Sequence, residues 1–89
     1  MPDNDKQKRQ KGIRASQVYN DPLVQEALRG MEDTLFYNFK TSKYKDLDDR
    51  EEIYKQLQAI RGFKDQFEKW IRDGEGARIA LDQQLEAVV

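Results

Sequence analysis

The stretch Asn20-Asp21-Pro22-Leu23-Val24-Gln25-Glu26-Ala27-Leu28 marks the point where the sequence acquires a helical pattern. Asn and Asp are favoured N-cap residues, and Pro is favoured in the first turn of a helix. Large apolar residues then recur three or four positions apart, which is the spacing of one face of an α-helix. They are Val24, Leu28, Met31, Leu35 and Phe39. The pattern predicts a first helix from about Pro22 to about Lys40.

A second helix is predicted after the polar connection 41–48. Asp48 or Asp49 can cap it, and acidic residues in its first turn suit the positive end of the helix dipole. Asp73-Gly74 is typical of a helix end, because glycine readily adopts the C-cap conformation. The apolar face of this helix consists of Ile53, Leu57, Ile60, Phe67 and Trp70. Two helices joined by a short connection predict an antiparallel hairpin over residues 21–72.

Gly30 and Gly62 fall near the middle of the two predicted helices. Each glycine costs about 1 kcal/mol of helix stability relative to alanine. We therefore expect them to lie where the two helix axes approach closely, next to Ala27 and Ala59. The alternative is that both glycines lie on exposed faces.

Residues 1–20 are interpreted as a basic N-terminal tail that is disordered in the free protein. They carry five basic and two acidic residues and lack periodic apolar residues, so they have little surface to bury against the entropy cost of ordering. The cations could contact nucleic-acid phosphates, or they could simply keep a solvated tail soluble. The candidate nucleic-acid-binding residues are Lys6, Lys8, Arg9, Lys11 and Arg14.

Residues 73–89 form an acidic C-terminal segment with four acidic residues and one basic residue. Ala77, Leu81, Leu85 and Val88 have helical spacing, which predicts a short third helix. This helix could fold back on the hairpin or dock on a neighbouring molecule. The alternative is a frayed terminus.

The composition limits the size of the core. The chain has 89 residues, of which 37% are hydrophobic and 37% are charged, whereas ordinary soluble domains carry about 25% charged residues. A two-helix hairpin would leave part of each apolar stripe uncovered. We therefore expect an all-α protein whose core is completed by oligomerisation or by a protein partner. The candidate interface residues are Val24, Leu28, Met31, Leu35, Phe39, Ile53, Leu57, Ile60, Phe67 and Trp70.

Several chemistries are disfavoured. The sequence has no cysteine and no histidine, so thiol and imidazole groups are not available for catalysis or for zinc binding. Its five glycines match no phosphate-binding loop, and the acidic cluster 46–52 lacks the EF-hand pattern. No apolar run approaches the roughly 18 residues of a membrane span. These features predict a protein that is not an enzyme, binds no cofactor or metal and does not enter a membrane.

Two strings carry a resemblance to a known group. The first string is Asp21-Pro22-Leu23-Val24-Gln25-Glu26-Ala27-Leu28, followed by Met31-Glu32 and Leu35. The second string is Arg50-Glu51-Glu52-Ile53-Tyr54-Lys55-Gln56-Leu57-Gln58-Ala59-Ile60. Residues 20–72 thereby resemble small helical-hairpin proteins of tailed bacteriophages. The resemblance implies a gene near the head or packaging genes and a location in the cytoplasm of a bacterial host or in the virion. It implies no catalytic residues.

Three functions remain open from the sequence. The leading hypothesis is a non-enzymatic phage assembly or virion-associated protein that acts through helix-mediated contacts, with itself or with a virion protein. The first alternative is a packaging or regulatory factor that holds nucleic acid through its basic N-terminal tail. The second alternative is a small inhibitor of a host enzyme.

Overall fold

The computed structural model describes residues 2–43 and 46–88, with side chains for 4–43 and 46–85. It contains three helices: α1 (Pro2–Tyr19), α2 (Pro22–Thr41) and α3 (Leu47–Val88). No strand occurs within these ranges. The all-α prediction is therefore confirmed.

Helix α2 begins and ends where local sequence signals place it. At its start, the Asp21 carboxylate accepts a hydrogen bond from the backbone N–H of Leu23 at 2.8 Å, and Pro22 occupies the first turn. At its end, both the backbone N–H and the hydroxyl of Ser42 donate to the carbonyl of Phe39, at 3.3 and 2.7 Å. These bonds satisfy backbone groups that a helix end leaves without an intrahelical partner. The helix extends one residue beyond its predicted end at about Lys40.

The prediction of a disordered tail over residues 1–20 is wrong, because Pro2–Tyr19 form helix α1. The helix packs through small residues: Gly12, Ala15 and, on α3, Gly74 and Ala77 are buried. Such residues let two backbones approach closely and bury surface without large apolar side chains. The spacing of large apolar residues gives no sign of this kind of packing.

The prediction of a helix end at Gly74, with a separate short helix after it, is also wrong. Leu47–Val88 form one continuous helix of 42 residues, and none of the described glycines has a positive φ. A Cβ atom at Gly74 would lie 2.7 Å from the Cα atom of Gly12. Gly74 therefore serves a close helix contact, and its freedom to end a helix is not used. Val89 lies outside the described residues.

The chain forms two compact units, and α3 contributes to both. Unit 1 contains residues 1–20 and 65–89, and unit 2 contains residues 21–64. In unit 2 the core is formed by Leu28 and Leu35 of α2 and by the half-buried Ile53, Leu57 and Ile60 of α3.

Contacts show that α2 and the first part of α3 run antiparallel within unit 2. Near the start of α3, the Arg50 guanidinium lies 4.5 Å from the centre of the Phe39 ring. Further along α3, the Lys64 ammonium pairs with the Glu32 carboxylate at 2.6 Å. The α3 residue with the higher number therefore contacts the α2 residue with the lower number, as expected for antiparallel helices.

Gly30 and Gly62 do not lie between the helices. A Cβ atom added to either would meet no described atom within 4 Å, so the expected close approach at these positions is wrong. The reason is geometric for Gly30: it follows the buried Leu28 by two residues, which places it about 200° around the helix from the core.

Candidate functional site

An open apolar groove lies between α2 and α3 in unit 2. It has a volume of about 350 Å³. Leu28 is buried in it, and Val24 and Ile60 are half-buried. The full set of lining residues is Val24, Ala27, Leu28, Met31, Ala59, Ile60 and Phe63.

The groove arises from the alternation of large and small residues. Ala27 and Ala59 contribute one methyl group each, and Met31 and Phe63 extend beside them with 48% of their surface exposed. The gap left by the alanines is therefore bordered by large apolar side chains that water still reaches. Exposing such side chains is unfavourable, at about 25 cal/mol for each Å² of apolar surface.

An ion pair lies on the other side of the same helix pair. Helix periodicity places Glu32 across the Leu28–Leu35 line from Ala27, and its carboxylate forms the ion pair with Lys64. Both side chains of this pair are about one-third exposed or less, at 28% and 31%. The face with the alanines carries the groove with the entirely apolar lining.

The lining of the groove argues against a small polar ligand. Small-molecule pockets are mostly apolar but include a few polar groups that fix the orientation of the ligand. All seven lining residues identified among the described side chains are apolar. The chemistry therefore suits the apolar side chains of a neighbouring helix.

The predicted interface residues divide between the two units. Leu28 and Leu35 are buried in unit 2, and Met31 and Phe39 are exposed there. The half-buried members of unit 2 are Val24, Ile53, Leu57 and Ile60, and those of unit 1 are Phe67 and Trp70.

Four of these ten residues line the groove, together with three that the prediction omitted. The four are Val24, Leu28, Met31 and Ile60. Phe63 follows Ile60 by three positions, a spacing that could have identified it. The sequence places Ala27 and Ala59 beside the two glycines, but alanine is common on both exposed and buried helix faces, so this pattern does not identify a groove.

In unit 1, aromatic side chains contribute to the packing of α1 against α3. The Tyr19 ring stacks on Phe67 with centroids 5.4 Å apart, and Trp70 meets Phe67 edge-on at the same centroid distance. The Lys11 ammonium lies 4.7 Å from the centre of the Trp70 ring. Aromatic pairs of this geometry contribute about 0.5–1.5 kcal/mol beyond their buried area. Phe67 and Trp70 therefore serve a contact within the chain.

The five candidate nucleic-acid-binding residues all lie on α1. Each of them is exposed: Lys6, Lys8, Arg9, Lys11 and Arg14. The cations therefore have fixed positions on a helix, whereas the sequence predicted a disordered tail.

An ion-pair network lies on the exposed surface of α3. Arg78 donates to the Glu75 carboxylate at 2.6 Å and to the Asp82 carboxylate at 3.0 Å. The hydrogen bond from Arg78 lowers the pKa of Glu75 and raises the pKa of the guanidinium itself. All three residues are exposed, and the arrangement is that of a helix surface pair.

Metal-binding and membrane-spanning features do not occur in the part of the chain that the structure describes. Among these residues, no group of three Asp, Glu, His or Cys side chains is placed to hold a metal ion. None of the described helices has the length and apolar character needed to cross a membrane.

Comparison with protein-family models, curated proteins and solved structures finds no match to the chain.

Proposed function

We propose that this is a non-enzymatic assembly or virion-associated protein of a tailed bacteriophage, which acts through helix-mediated protein contacts. The resemblance of residues 20–72 to small phage proteins motivates the setting. The apolar groove of unit 2 is the observation that carries the contact. Its chemistry favours a helix as the occupant, and we propose that this helix belongs to a second copy of the chain.

The groove contains both projecting side chains and recesses, which are the two parts of a helix-packing interface. Met31 and Phe63 project, while Ala27 and Ala59 form recesses beside them. In a two-fold dimer the same surface faces itself, so the projecting side chains of one protomer can enter the recesses of the other. Two helix pairs joined in this way form a four-helix bundle. Such a dimer would cover the apolar face that unit 2 leaves open.

Two glycines lie near the residues that line the groove. Gly30 lies three residues after Ala27, and Gly62 lies three residues after Ala59. A Cβ atom at either glycine would meet open space among the described residues. Neither glycine lines the groove itself, so these positions add no side chain beside it.

Sedimentation of a matched pair of variants tests the contact. Phe63→Glu places a carboxylate in the groove, and burying an unpaired carboxylate costs several kcal/mol. Phe36→Glu is the control, because Phe36 is 54% exposed and does not line the groove. We expect dimers for the natural chain and for Phe36→Glu at micromolar concentration, and monomers with unchanged helicity for Phe63→Glu. Self-association would be refuted by a natural chain that stays monomeric up to about 100 µM, where a dimer would be held by less than about 5.5 kcal/mol.

The role in phage assembly has its own test. In a phage that carries this gene, we expect its deletion to reduce the yield of complete particles seen by electron microscopy, and the Phe63→Glu variant to fail to restore it. A normal yield of infectious particles from the deletion would contradict the assembly role. Recovery of the protein bound to a host enzyme, with particle assembly intact, would favour the inhibitor hypothesis instead.

A further inference from the structure

We propose that the outer face of α1 binds duplex DNA. This inference is independent of the dimer contact, since α1 belongs to unit 1 and contributes no residue to the groove. It rests on the placement of basic and amide side chains along one exposed helix face.

The inner face of α1 is fixed by its contact with α3. Gly12 and Ala15 are buried there, and Tyr19 is half-buried. Helix periodicity places a different set of residues on the opposite face. This outer face carries Lys6, Gln7, Gln10, Arg14 and Gln17, and all five residues are exposed. At its edge, Lys6 and Gln10 also border a depression that includes Leu85 of α3.

These side chains have the donors and acceptors that duplex DNA requires. Lys and Arg bind phosphate oxygens, and such contacts supply most of the affinity for nucleic acid. Gln and Arg are also the side chains that form paired hydrogen bonds with adenine and guanine edges in the major groove. Gln7, Gln10 and Arg14 line a shallow surface depression together with Lys11, Ile13 and Gln17.

Basic residues outnumber acidic residues on α1. Residues 1–20 carry five basic and two acidic residues, whereas the whole chain has a net charge of −1 and residues 73–89 carry four acidic residues and one basic residue. Asp5 is the acidic residue of α1 whose side chain is described, and it is half-buried. The acidic segment 73–89 belongs to the same unit as α1, so the attraction of a nucleic acid depends on the exposed cations of α1 itself.

Geometry selects DNA over RNA. An α-helix with its side chains is about 10–12 Å across, and the major groove of B-form DNA is about 12 Å wide. The major groove of A-form RNA is too narrow and deep for side chains to read. Since α1 is already packed on α3 through Gly12 and Lys11, binding requires little ordering of the helix.

The test is fluorescence anisotropy with a labelled duplex of mixed sequence, about two helical turns long, at about 50–200 mM salt. Lys6→Gln/Arg14→Gln removes two cations from the outer face. Lys40→Gln/Lys55→Gln is the control, because it removes two exposed cations from unit 2. We expect the first variant to weaken binding at least about tenfold and to reduce the slope of log K against log salt by about two, one for each phosphate that is no longer neutralised. The control should retain most of the affinity and the slope.

Several results would overturn the proposal. The first is that the natural chain shows no saturable binding at the lowest salt concentration. The second is that both double variants weaken binding equally. Equal competition by polyglutamate would show a general attraction for polyanions, and equal competition by duplex RNA would remove the preference for DNA. Circular dichroism of both variants verifies that helicity is retained, as expected for substitutions at exposed positions.

Discussion

Replacing Gly74 with alanine is expected to destabilise unit 1 relative to the same replacement at Gly76. The two glycines are two residues apart on α3 and share the same unit. A Cβ atom at Gly74 would lie 2.7 Å from the Cα atom of Gly12 and 3.0 Å from the carbonyl oxygen of Lys8. A Cβ atom at Gly76 would meet no described atom within 4 Å.

The magnitude follows from comparing the two variants. Alanine favours a helix interior over glycine by about 1 kcal/mol, and this gain applies to both positions. At Gly74 the clashing atoms belong to the backbone of α1, so no side chain can rotate away and the helices must separate. Carbon atoms pack at about 3.5–4.0 Å, and overpacking of this kind costs about 1–3 kcal/mol. The two variants should therefore differ in free energy of unfolding by about 1–3 kcal/mol.

Urea unfolding followed by tryptophan emission measures this difference. The chain has one tryptophan, and Trp70 contacts Phe67 and Lys11 in unit 1, so its emission reports on the contact between α1 and α3. We expect a lower urea midpoint for Gly74→Ala than for Gly76→Ala. Equal midpoints would refute the close packing of Gly12 against Gly74.

Two further predictions concern unit 1. Deleting residues 2–19 should shift the emission of Trp70 to longer wavelength and lower the melting temperature, because Lys11 no longer covers the indole ring; unchanged emission would show that α1 does not shield it. In a carbon-detected NMR titration, the midpoint of Glu75 should lie below its ordinary value of 4.5 and return towards it in Arg78→Gln. The stabilising effect of this pair is present above that ordinary value and disappears as the pH falls through the lowered pKa; a midpoint that Arg78→Gln leaves unchanged would contradict the assignment.

Helix α2 could be predicted from the sequence because its determinants are local. Asp21 and Pro22 mark its start, and its apolar stripe includes the two buried residues Leu28 and Leu35. A cap is recognised within a few residues of the helix that it begins. No distant part of the chain is needed to identify such an element.

Helix α1 could not be predicted in the same way because its partner is distant in the sequence. The contact depends on Gly12 and Ala15, and on Gly74 and Ala77 about 60 positions later. Small residues carry no apolar periodicity, and the basic residues around them are also typical of disordered segments. Gly74 is ambiguous for a related reason: a glycine can end a helix or admit a neighbouring backbone, and the presence of Gly12 decides between the two.

The groove combines a predictable part with an unpredictable one. The stripe residues Val24, Leu28, Met31 and Ile60 follow from helical spacing. The recess that makes the surface concave depends on the small size of the alanine residues that line it. Their effect appears only when α2 and α3 are placed side by side.

Small residues have different surroundings in the two units. In unit 1, Gly12 and Gly74 lie against each other, so the close approach that they allow is already occupied within the chain. In unit 2, Gly30 and Gly62 face open space among the described residues, beside a groove bordered by exposed apolar side chains. Each of these two glycines lowers helix stability by about 1 kcal/mol relative to alanine, and a Cβ atom added at either position would meet no described atom within 4 Å. The entirely apolar lining of the groove is why we place self-association there, and the exposed cations of α1 are why we propose its outer face for DNA.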